Sequence, residues 1–150
     1  DRYQQTHYQL HLSSSFNEMW YVNAAFHFTK GAGYYEQYKE DESLSDYLLD
    51  EVIIGGDTIT ESNLIRRKWL ENDFYGLVGG LHYEGDVIGA VLGGGWNRYD
   101  GDHFGTVIWA RYPGESEIRH RWYDNTGVKT DWNVYLKSNA YREISSLIII

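Results

Sequence analysis

The sequence predicts an all-β fold, an antiparallel up-and-down sheet of about five strands of the kind that forms a transmembrane β-barrel segment. Three observations support this prediction. Apolar and polar residues alternate with a period of two along several runs. Aromatic residues bracket the apolar positions of those runs, and short connections alternate with long ones, as short periplasmic turns alternate with long extracellular loops in such barrels.

The composition excludes several classes of function. A net charge of −9 argues against a nucleic-acid partner, because phosphate binding needs a basic face. The absence of cysteine excludes disulfides and thiolate metal sites. No apolar run is long enough for a transmembrane helix. Tyrosine and tryptophan are abundant, with 14 and 6 residues, and both suit membrane interfaces.

The first two runs predict a β-hairpin. Residues 6–16 and 20–29 both alternate between apolar and polar side chains, and Asn17, Glu18 and Met19 separate them as a tight turn. Pairing the runs across this turn makes their apolar faces coincide, as a hairpin requires. The predicted neighbours are Phe16 with Trp20, Leu12 with Ala24, and Tyr8 with Phe28.

Three further strands follow the same alternation. They cover about residues 74–83, 87–96 and 129–137, and a short turn at Glu84, Gly85 and Asp86 joins the first two. The polar segments 31–68 and 97–125 are expected to be long loops, with a minor hairpin at 52–59 inside the first. The apolar tail, 147–150, is expected to begin a sixth strand.

The apolar faces are expected to contact lipid. A strand of about eleven residues rises roughly 36 Å, and at a tilt near 45° it covers about 25 Å, the height of the apolar band of a membrane barrel. The alternative is a soluble β-sandwich that binds carbohydrate, in which the same faces form a core. The predicted lipid-facing residues are Tyr8, Leu10, Leu12, Phe16, Trp20, Val22, Phe26, Phe28, Tyr75, Leu77, Leu81, Trp132, Val134 and Leu136.

The residues also resemble a known family, the TonB-dependent outer-membrane receptors of Bacteroidetes type, in the middle of their barrel. The similarity covers roughly residues 6–140. The stretches that carry it are THYQLHLSSSFN from Thr6, NAAFHFTKGAGYYEQYKED from Asn23, LIRRKWLENDFYG from Leu64, LGGGWNRYDGDHFGTVIWARY from Leu92 and RWYDNTGVKTDWNVYLKSN from Arg121. Val78-Gly79-Gly80, the short turn at 84–86 and the tail from Tyr141 depart from the pattern expected.

The resemblance implies a role in transport. Such receptors are barrels of about 22 strands with a plugged lumen. They take up scarce nutrients (iron chelates, vitamins or glycans) across the bacterial outer membrane with energy delivered through TonB. The implied partners are membrane lipid and lipopolysaccharide, the rest of the barrel with its plug, and TonB through that plug, with a surface lipoprotein as an optional further partner. Plug, TonB box and closing strand are missing, so the chain is expected to be part of a larger protein.

No catalytic site and no cofactor are predicted. Asp100, Asp102 and His103 have oxygen and nitrogen ligands for calcium or iron, but their spacing fits no EF-hand loop, and an Asp-Gly turn is the favoured interpretation. Glu115 and Glu117, taken with the two aspartates, are a weak hypothesis for a glycosidase pair. A β-rich enzyme domain is therefore the weakest alternative.

Ligand contacts are expected from aromatic and cationic loop residues, because rings suit sugars or flat chelates and arginine suits carboxylates. The candidates are Tyr34, Tyr35, Tyr38, Trp109, Arg111, Arg119, His120, Arg121 and Trp122. His7, His11 and His27 are expected to be solvated or hydrogen-bonded on the lumen side. Two interpretations stay open for four basic residues, either solvation at loop ends or pairing with acidic loops or lipopolysaccharide phosphates: Lys30, Arg66, Arg67 and Lys68.

Overall fold

The computed structural model describes residues 1–141, and within them the fold is all-β. The elements in chain order are β1 (Arg2–Ser15), β2 (Trp20–Ser43), a short 3-10 helix (Leu44–Tyr47), β3 (Val52–Ile54), β4 (Asp57–Ile59), β5 (Glu61–Glu84), β6 (Ile88–Ala110) and β7 (Arg121–Ala140). No helix among these residues has the length and apolar character needed to cross a membrane. The predicted sixth strand at 147–150 lies outside the described residues.

The five long strands form one antiparallel sheet in the order β1-β2-β5-β6-β7. The remaining two strands form a separate hairpin, β3-β4, between β2 and β5 in the chain. This confirms the all-β class, the five-stranded antiparallel sheet with its up-and-down order, and the minor hairpin at 52–59. Over residues 1–141 the sheet is open, with β1 and β7 at its edges, and is not a closed barrel. The sandwich alternative needs two facing sheets, and the described residues provide a single large one.

The expectation of long loops at 31–68 and 97–125 is wrong for most of both segments. Strand β2 continues to Ser43, β5 begins at Glu61, β6 continues to Ala110 and β7 begins at Arg121. The strands therefore reach 24 residues, far beyond the length usual in globular proteins. The prediction took the polar composition of these segments as a sign of loops. Charged side chains that pair across strands also stabilise a sheet, so a polar segment can be a strand.

The first hairpin forms in the predicted register. The Asn17 side chain closes the turn by accepting hydrogen bonds from the backbone N–H groups of Met19 and Trp20, both at 2.9 Å. The Phe16 N–H donates to the Trp20 carbonyl at 2.8 Å, and the Tyr8 and Phe28 rings stack 6.2 Å apart. Turn residues and cross-strand partners are thus confirmed.

The chain divides into two compact units, and each long strand contributes residues to both. Within the described residues, unit 1 comprises 1–7, 29–74 and 99–129, and unit 2 comprises 8–28, 75–98 and 130–141.

Unit 1 contains the buried core of the described residues. The 3-10 helix after β2 brings Leu44 and Tyr47 against residues of β5 and β6, and the helix ends at Leu48 in a left-handed conformation with φ of 55°. The core consists of Leu44, Tyr47, Leu49, Leu64, Val107 and Ala110, with Val52, Ile118 and Trp122 packed against it. This cluster holds the connection between β2 and β5 onto the sheet.

Candidate functional site

The first candidate surface is an exposed apolar face of unit 2, built by all five long strands. Side chains from four strands line one shallow apolar depression: Val22, Ala24, Leu77, Leu81, Leu92, Trp96, Trp132 and Val134. Leu10 on β1 is 55% exposed, Phe26 on β2 44%, Trp132 on β7 75% and Leu136 73%. No second sheet among residues 1–141 covers this face.

An aromatic belt crosses one end of the apolar face. The rings of Tyr8, Phe28, Tyr75 and Trp96 follow each other across β1, β2, β5 and β6, with centroid separations of 6.2, 6.4 and 5.9 Å. Centroids 4.5–7 Å apart are typical of favourable ring pairs. The cross-strand register therefore gathers residues that are far apart in the chain into one row.

A second group of rings marks the other end of this face. Trp20 and Tyr83 lie 4.9 Å apart, and Phe16 beside them in the hairpin is exposed. Phe28 lies eight positions after Trp20, which corresponds to about 26 Å along the strand at the usual rise. Leucine, valine and phenylalanine side chains occupy the interval. Tyr83 of β5 and Trp96 of β6 were not among the predicted lipid-facing residues. For Trp96 the reason is that small apolar residues occupy both faces of β6 and left its orientation open.

The opposite face of unit 2 is polar. His11, Asn23, Asn133 and Tyr135 are among the residues that line a depression there. The rings of Tyr21 and His82 stack with centroids 4.1 Å apart, and the same histidine lies 3.0 Å from the Asn23 amide. Unit 2 thus has the apolar-and-polar division that the alternation predicts.

His7, His11 and His27 each have a hydrogen-bonding partner, which confirms the hydrogen-bonded alternative predicted for them. His7 lies 2.8 Å from the Thr29 hydroxyl in unit 1. In unit 2, His27 lies 2.8 Å from the Asn97 side chain and His11 lies 3.4 Å from Gln9.

Glycines of β6 leave room for side chains of the polar face. A Cβ at Gly93 would stand 2.5 Å from the Tyr135 ring, and one at Gly94 would stand 2.4 Å from the Asn133 carbonyl oxygen. The triple glycine therefore marks close approach of the neighbouring strand and its rings, as glycine within a strand often does.

Unit 1 has an aromatic and cationic row on one of its faces. Tyr34 and Trp69 have ring centroids 4.8 Å apart, and Trp69 stacks on Phe104 at 5.7 Å. Arg67 forms an ion pair with Glu36 and lies 4.1 Å above the Tyr34 ring. At the far end of the row, the Arg121 guanidinium lies 3.7 Å above Phe104 and pairs with Asp124 at 2.7 Å. The arginines of this row are thus neutralised by carboxylates.

A hydrogen-bond network joins β2, the 3-10 helix and β5 in unit 1. Tyr47 donates to the Glu42 carboxylate at 2.6 Å and accepts from Arg66 at 3.0 Å. Burial, and then the hydrogen bond to Glu42, raises the pKa of Tyr47 to about 12, although Arg66 opposes the shift. Arg66 also donates to the Gln37 side-chain oxygen at 3.0 and 2.8 Å. The buried tyrosine is therefore a structural anchor.

Lys68, two residues further along β5, has a different environment. Its ammonium lies 5.9 Å from the Trp122 ring centroid and 5.8 Å from that of Tyr123. Burial lowers the pKa of Lys68, and the positive charges of Arg66 and Lys39 lower it further. Burial likewise raises the pKa of Tyr123, to which Tyr35 contributes and which Arg66 opposes. Lys68 therefore lies beside two aromatic rings in a positively charged environment.

Most of the nine predicted ligand-binding residues are not in loops. Tyr34, Tyr35 and Tyr38 belong to β2, Trp109 to β6, and Arg121 and Trp122 begin β7, so the loop assignment is wrong for these six. They also do not form one cluster, because side chains of a strand alternate between its two faces. The three that lie in a connection are Arg111, Arg119 and His120.

His120 has a structural role in that connection. Its two ring nitrogens lie 2.5 Å from the Glu117 carbonyl oxygen and 2.9 Å from that of Tyr47. It thus ties the connection between β6 and β7 to the 3-10 helix. Arg111 lies over the neighbouring Tyr112 ring at 5.3 Å.

The four basic residues of this prediction, Lys30, Arg66, Arg67 and Lys68, separate into two groups, with and without a carboxylate partner. Lys30 lies 3.7 Å from Asp73, and Arg67 pairs with Glu36, which confirms pairing with acidic residues for these two. The carboxylates involved are on strands, not in loops. Arg66 and Lys68 show no carboxylate partner within residues 1–141.

The predicted Asp-Gly turn at residues 100–101 is wrong, because these residues lie inside β6. Asp102 accepts a hydrogen bond from the Thr126 hydroxyl of β7 at 2.7 Å, so it serves a cross-strand contact. Within the described part of the chain, no group of three or more histidine, aspartate or glutamate side chains is placed to hold a metal ion.

In the comparisons with known proteins, no family model, no curated protein and no solved structure matches the chain.

Proposed function

We propose that the chain forms part of the barrel wall of an outer-membrane TonB-dependent transporter for energised uptake of a scarce nutrient. The observation that carries the proposal is the exposed apolar face of unit 2, bounded by aromatic rings at both ends and backed by a polar face. This combination of lipid-facing band, aromatic girdles and polar interior is what a membrane barrel needs.

The energetics support a lipid environment for this face. Apolar surface gains roughly 25 cal/mol per Å² when it leaves water. Large side chains such as Trp132 and Leu136 are about three-quarters exposed, and an exposed apolar surface that crosses several strands is a typical interaction or membrane surface. Lipid chains would cover these side chains without a second protein layer.

The open edges β1 and β7 support a larger assembly. Backbone N–H and C=O groups at a sheet edge cannot stay unpaired in the hydrocarbon region. Further strands must therefore pair with both edges if the sheet lies in a membrane. In the proposal, these strands belong to the rest of the barrel, which also encloses the plug that TonB acts on.

Unit 1 would be the extracellular part of this wall. Its strands carry paired charges such as Arg67 with Glu36, and a loop that is held down by a buried core, which suits an aqueous setting. Ligand capture would take place on this unit, and membrane lipid and lipopolysaccharide would surround unit 2. The specific transport role, including TonB and any surface lipoprotein, rests on the sequence resemblance alone.

Fractionation and solubility test the proposal. In bacteria that carry the gene, the protein should sediment with the outer membrane and resist extraction by high salt. The isolated 150-residue chain should need detergent or partner strands to stay monodisperse. A monomer that stays soluble and melts cooperatively in plain buffer would contradict the membrane role and would favour a soluble carbohydrate-binding module.

A further inference from the structure

The second surface of interest is the Lys68 patch of unit 1, defined here as Lys39, Arg66, Lys68, Tyr35 and Tyr123. Strands β2, β5 and β7 supply these residues. Arg66 is anchored through Gln37 and Tyr47, so its guanidinium is fixed beside Lys68. The Lys68 ammonium lies 5.9 and 5.8 Å from the Trp122 and Tyr123 ring centroids. The side-chain pairs Gln37–Arg66 and Tyr34–Trp69 set the register of β2 and β5, and in that register Tyr35 stands opposite Lys68.

The patch has more positive than negative charge. Glu42 is its carboxylate neighbour, 3.7 Å from Lys39, and also accepts the Tyr47 hydrogen bond. Arg66 donates to neutral acceptors, and Lys68 forms no ion pair with any residue in the described part of the chain. By contrast, Lys30, Arg67 and Arg121 each have a carboxylate partner. Arg66 and Lys68 thus lack a carboxylate partner within residues 1–141, although the chain has a net charge of −9.

Aromatic rings form the walls of the patch. The Tyr123 ring lies against Gly105, where an added Cβ would approach a ring carbon to 2.3 Å and the Trp122 indole nitrogen to 2.6 Å. The absence of a side chain at Gly105 thus leaves space for both rings beside Lys68. Tyr35 is 44% exposed and leaves the patch open on its β2 side. Tyrosine and tryptophan rings offer flat apolar surface next to a charge.

Clustered cations raise the electrostatic free energy of the protein, and a bound anion lowers it again. Like charges held together under partial burial repel one another, so they favour a ligand of opposite sign. A hydrogen bond between an ammonium or guanidinium group and a carboxylate or phosphate is about twice as strong as a neutral one. Arginine suits two-point recognition of such groups, and lysine acts as a point charge.

We propose that the Lys68 patch binds a soluble small molecule with a carboxylate or phosphate group, whose flat apolar part stacks on Tyr123 and Tyr35. Lys68 and Arg66 would hold the oxyanion. That the patch captures a nutrient rests on the proposed transport function. That it binds an anion rests only on the geometry of unit 1.

Titration of the detergent-solubilised 150-residue chain tests the inference. The probes are phenyl phosphate, benzoate and the neutral benzyl alcohol, and the readout is quenching of tryptophan fluorescence, confirmed by calorimetry. Phenyl phosphate and benzoate should bind saturably and benzyl alcohol should not. Equal binding of all three probes, or none of the anions binding at millimolar concentration, would overturn the inference.

Charge variants locate the site. Lys68→Gln should weaken phenyl phosphate binding about tenfold or more, in line with about 1.5 kcal/mol or more for a charge-assisted hydrogen bond. Lys68→Arg should retain most of the affinity. The matched control is Lys137→Gln, which removes the same charge from an exposed position in unit 2. Unchanged binding in Lys68→Gln, or an equal loss in the control, would contradict the assignment.

Two further arms separate the sources of the anion and the two proposals. Micelles doped with phosphatidate present the same phosphate on a lipid, and binding only in that arm would reject a soluble ligand. A chain that binds phenyl phosphate but is a soluble monomer without detergent would keep this inference and overturn the membrane role. A chain that requires detergent but binds neither anion would overturn this inference and leave the membrane role intact.

Discussion

Units 1 and 2 are built from the same five long strands, yet they solve the burial of apolar side chains in opposite ways. Unit 1 folds the 3-10 helix and its neighbours onto β5 and β6 and buries Leu44, Tyr47 and Leu64 almost completely. Unit 2 leaves Trp132, Val134 and Leu136 exposed on its surface. Unit 1 carries its own core, as a protein in water does, whereas no second layer among residues 1–141 covers the apolar face of unit 2. Under the proposed function, lipid covers that face.

The largest effect is expected from a cavity in the core of unit 1. Leu64 is fully buried, so Leu64→Ala should destabilise unit 1 by about 2–5 kcal/mol through lost transfer energy and a residual cavity. Chemical denaturation followed by the fluorescence of Trp122 measures the change. The loss of unfolding free energy should be the same in micelles of detergents that differ in alkyl-chain length. A cost that depends on the detergent would break the distinction between the two units.

A charge on the apolar face of unit 2 should act only through the membrane environment. Val134→Arg should cost about 2–4 kcal/mol in a lipid environment, the value typical for arginine near the middle of a barrel's lipid face. Partitioning of the chain between urea solution and lipid–detergent mixed micelles measures it. The matched control is Asn133→Arg on the adjacent position of the polar face, which should cost far less. Equal costs would mean that the two faces do not differ in environment.

The Tyr47 network should make unit 1 sensitive to alkali. The pKa of Tyr47 is raised to about 12 in the folded chain, above its usual value of 10, so the unfolded chain loses this proton first. The stability contribution is complete below pH 10 and is lost as the pH rises from 10 to 12. Denaturation in this pH range should show that loss, and Tyr47→Phe should remove its pH dependence. If the unfolding free energy of Tyr47→Phe falls with pH as steeply as that of the unmodified chain, another group is responsible for the titration.

The smallest effect concerns the pH response of Lys68. The pKa of this ammonium is lowered in the folded chain, so stability should rise as the pH increases from that lowered value to the ordinary one, where both states are neutral. NMR titration of isotopically labelled lysine measures the folded pKa. Saturating phenyl phosphate should shift it back upward. No shift on ligand addition would contradict the anion at Lys68.

The sequence predicted the unit 2 part of the sheet more accurately than the unit 1 part, for a physical reason. Where one face is apolar, a slip of one residue would expose every apolar side chain on the wrong face, so alternation fixes the register. The hairpin at Asn17 and the pairing of Tyr8 with Phe28 followed from this rule. Alternation also placed the apolar residues of β5 and β7 on one surface.

Unit 1 could not be predicted in the same way. Its strands form polar pairs with one another, such as Glu36 with Arg67 and Gln37 with Arg66. In the sequence alone, segments this polar are predicted as loops. The adjacent Arg66, Arg67 and Lys68 illustrate the consequence. Arg67 has a carboxylate and an aromatic row as neighbours, whereas Arg66 and Lys68 belong to the Lys68 patch. Only the assignment of residues 61–84 to a strand places Arg67 on one face and Arg66 and Lys68 on the other.

The most direct test of the account is quenching of single tryptophans by brominated lipid in mixed micelles. One variant of the chain keeps only Trp132 of unit 2, and a matched variant keeps only Trp109 of unit 1, which is also exposed. If unit 2 faces lipid, bromine on the acyl chains should quench Trp132 strongly and Trp109 little. Equal quenching of both, or none of Trp132, would contradict a lipid-facing unit 2.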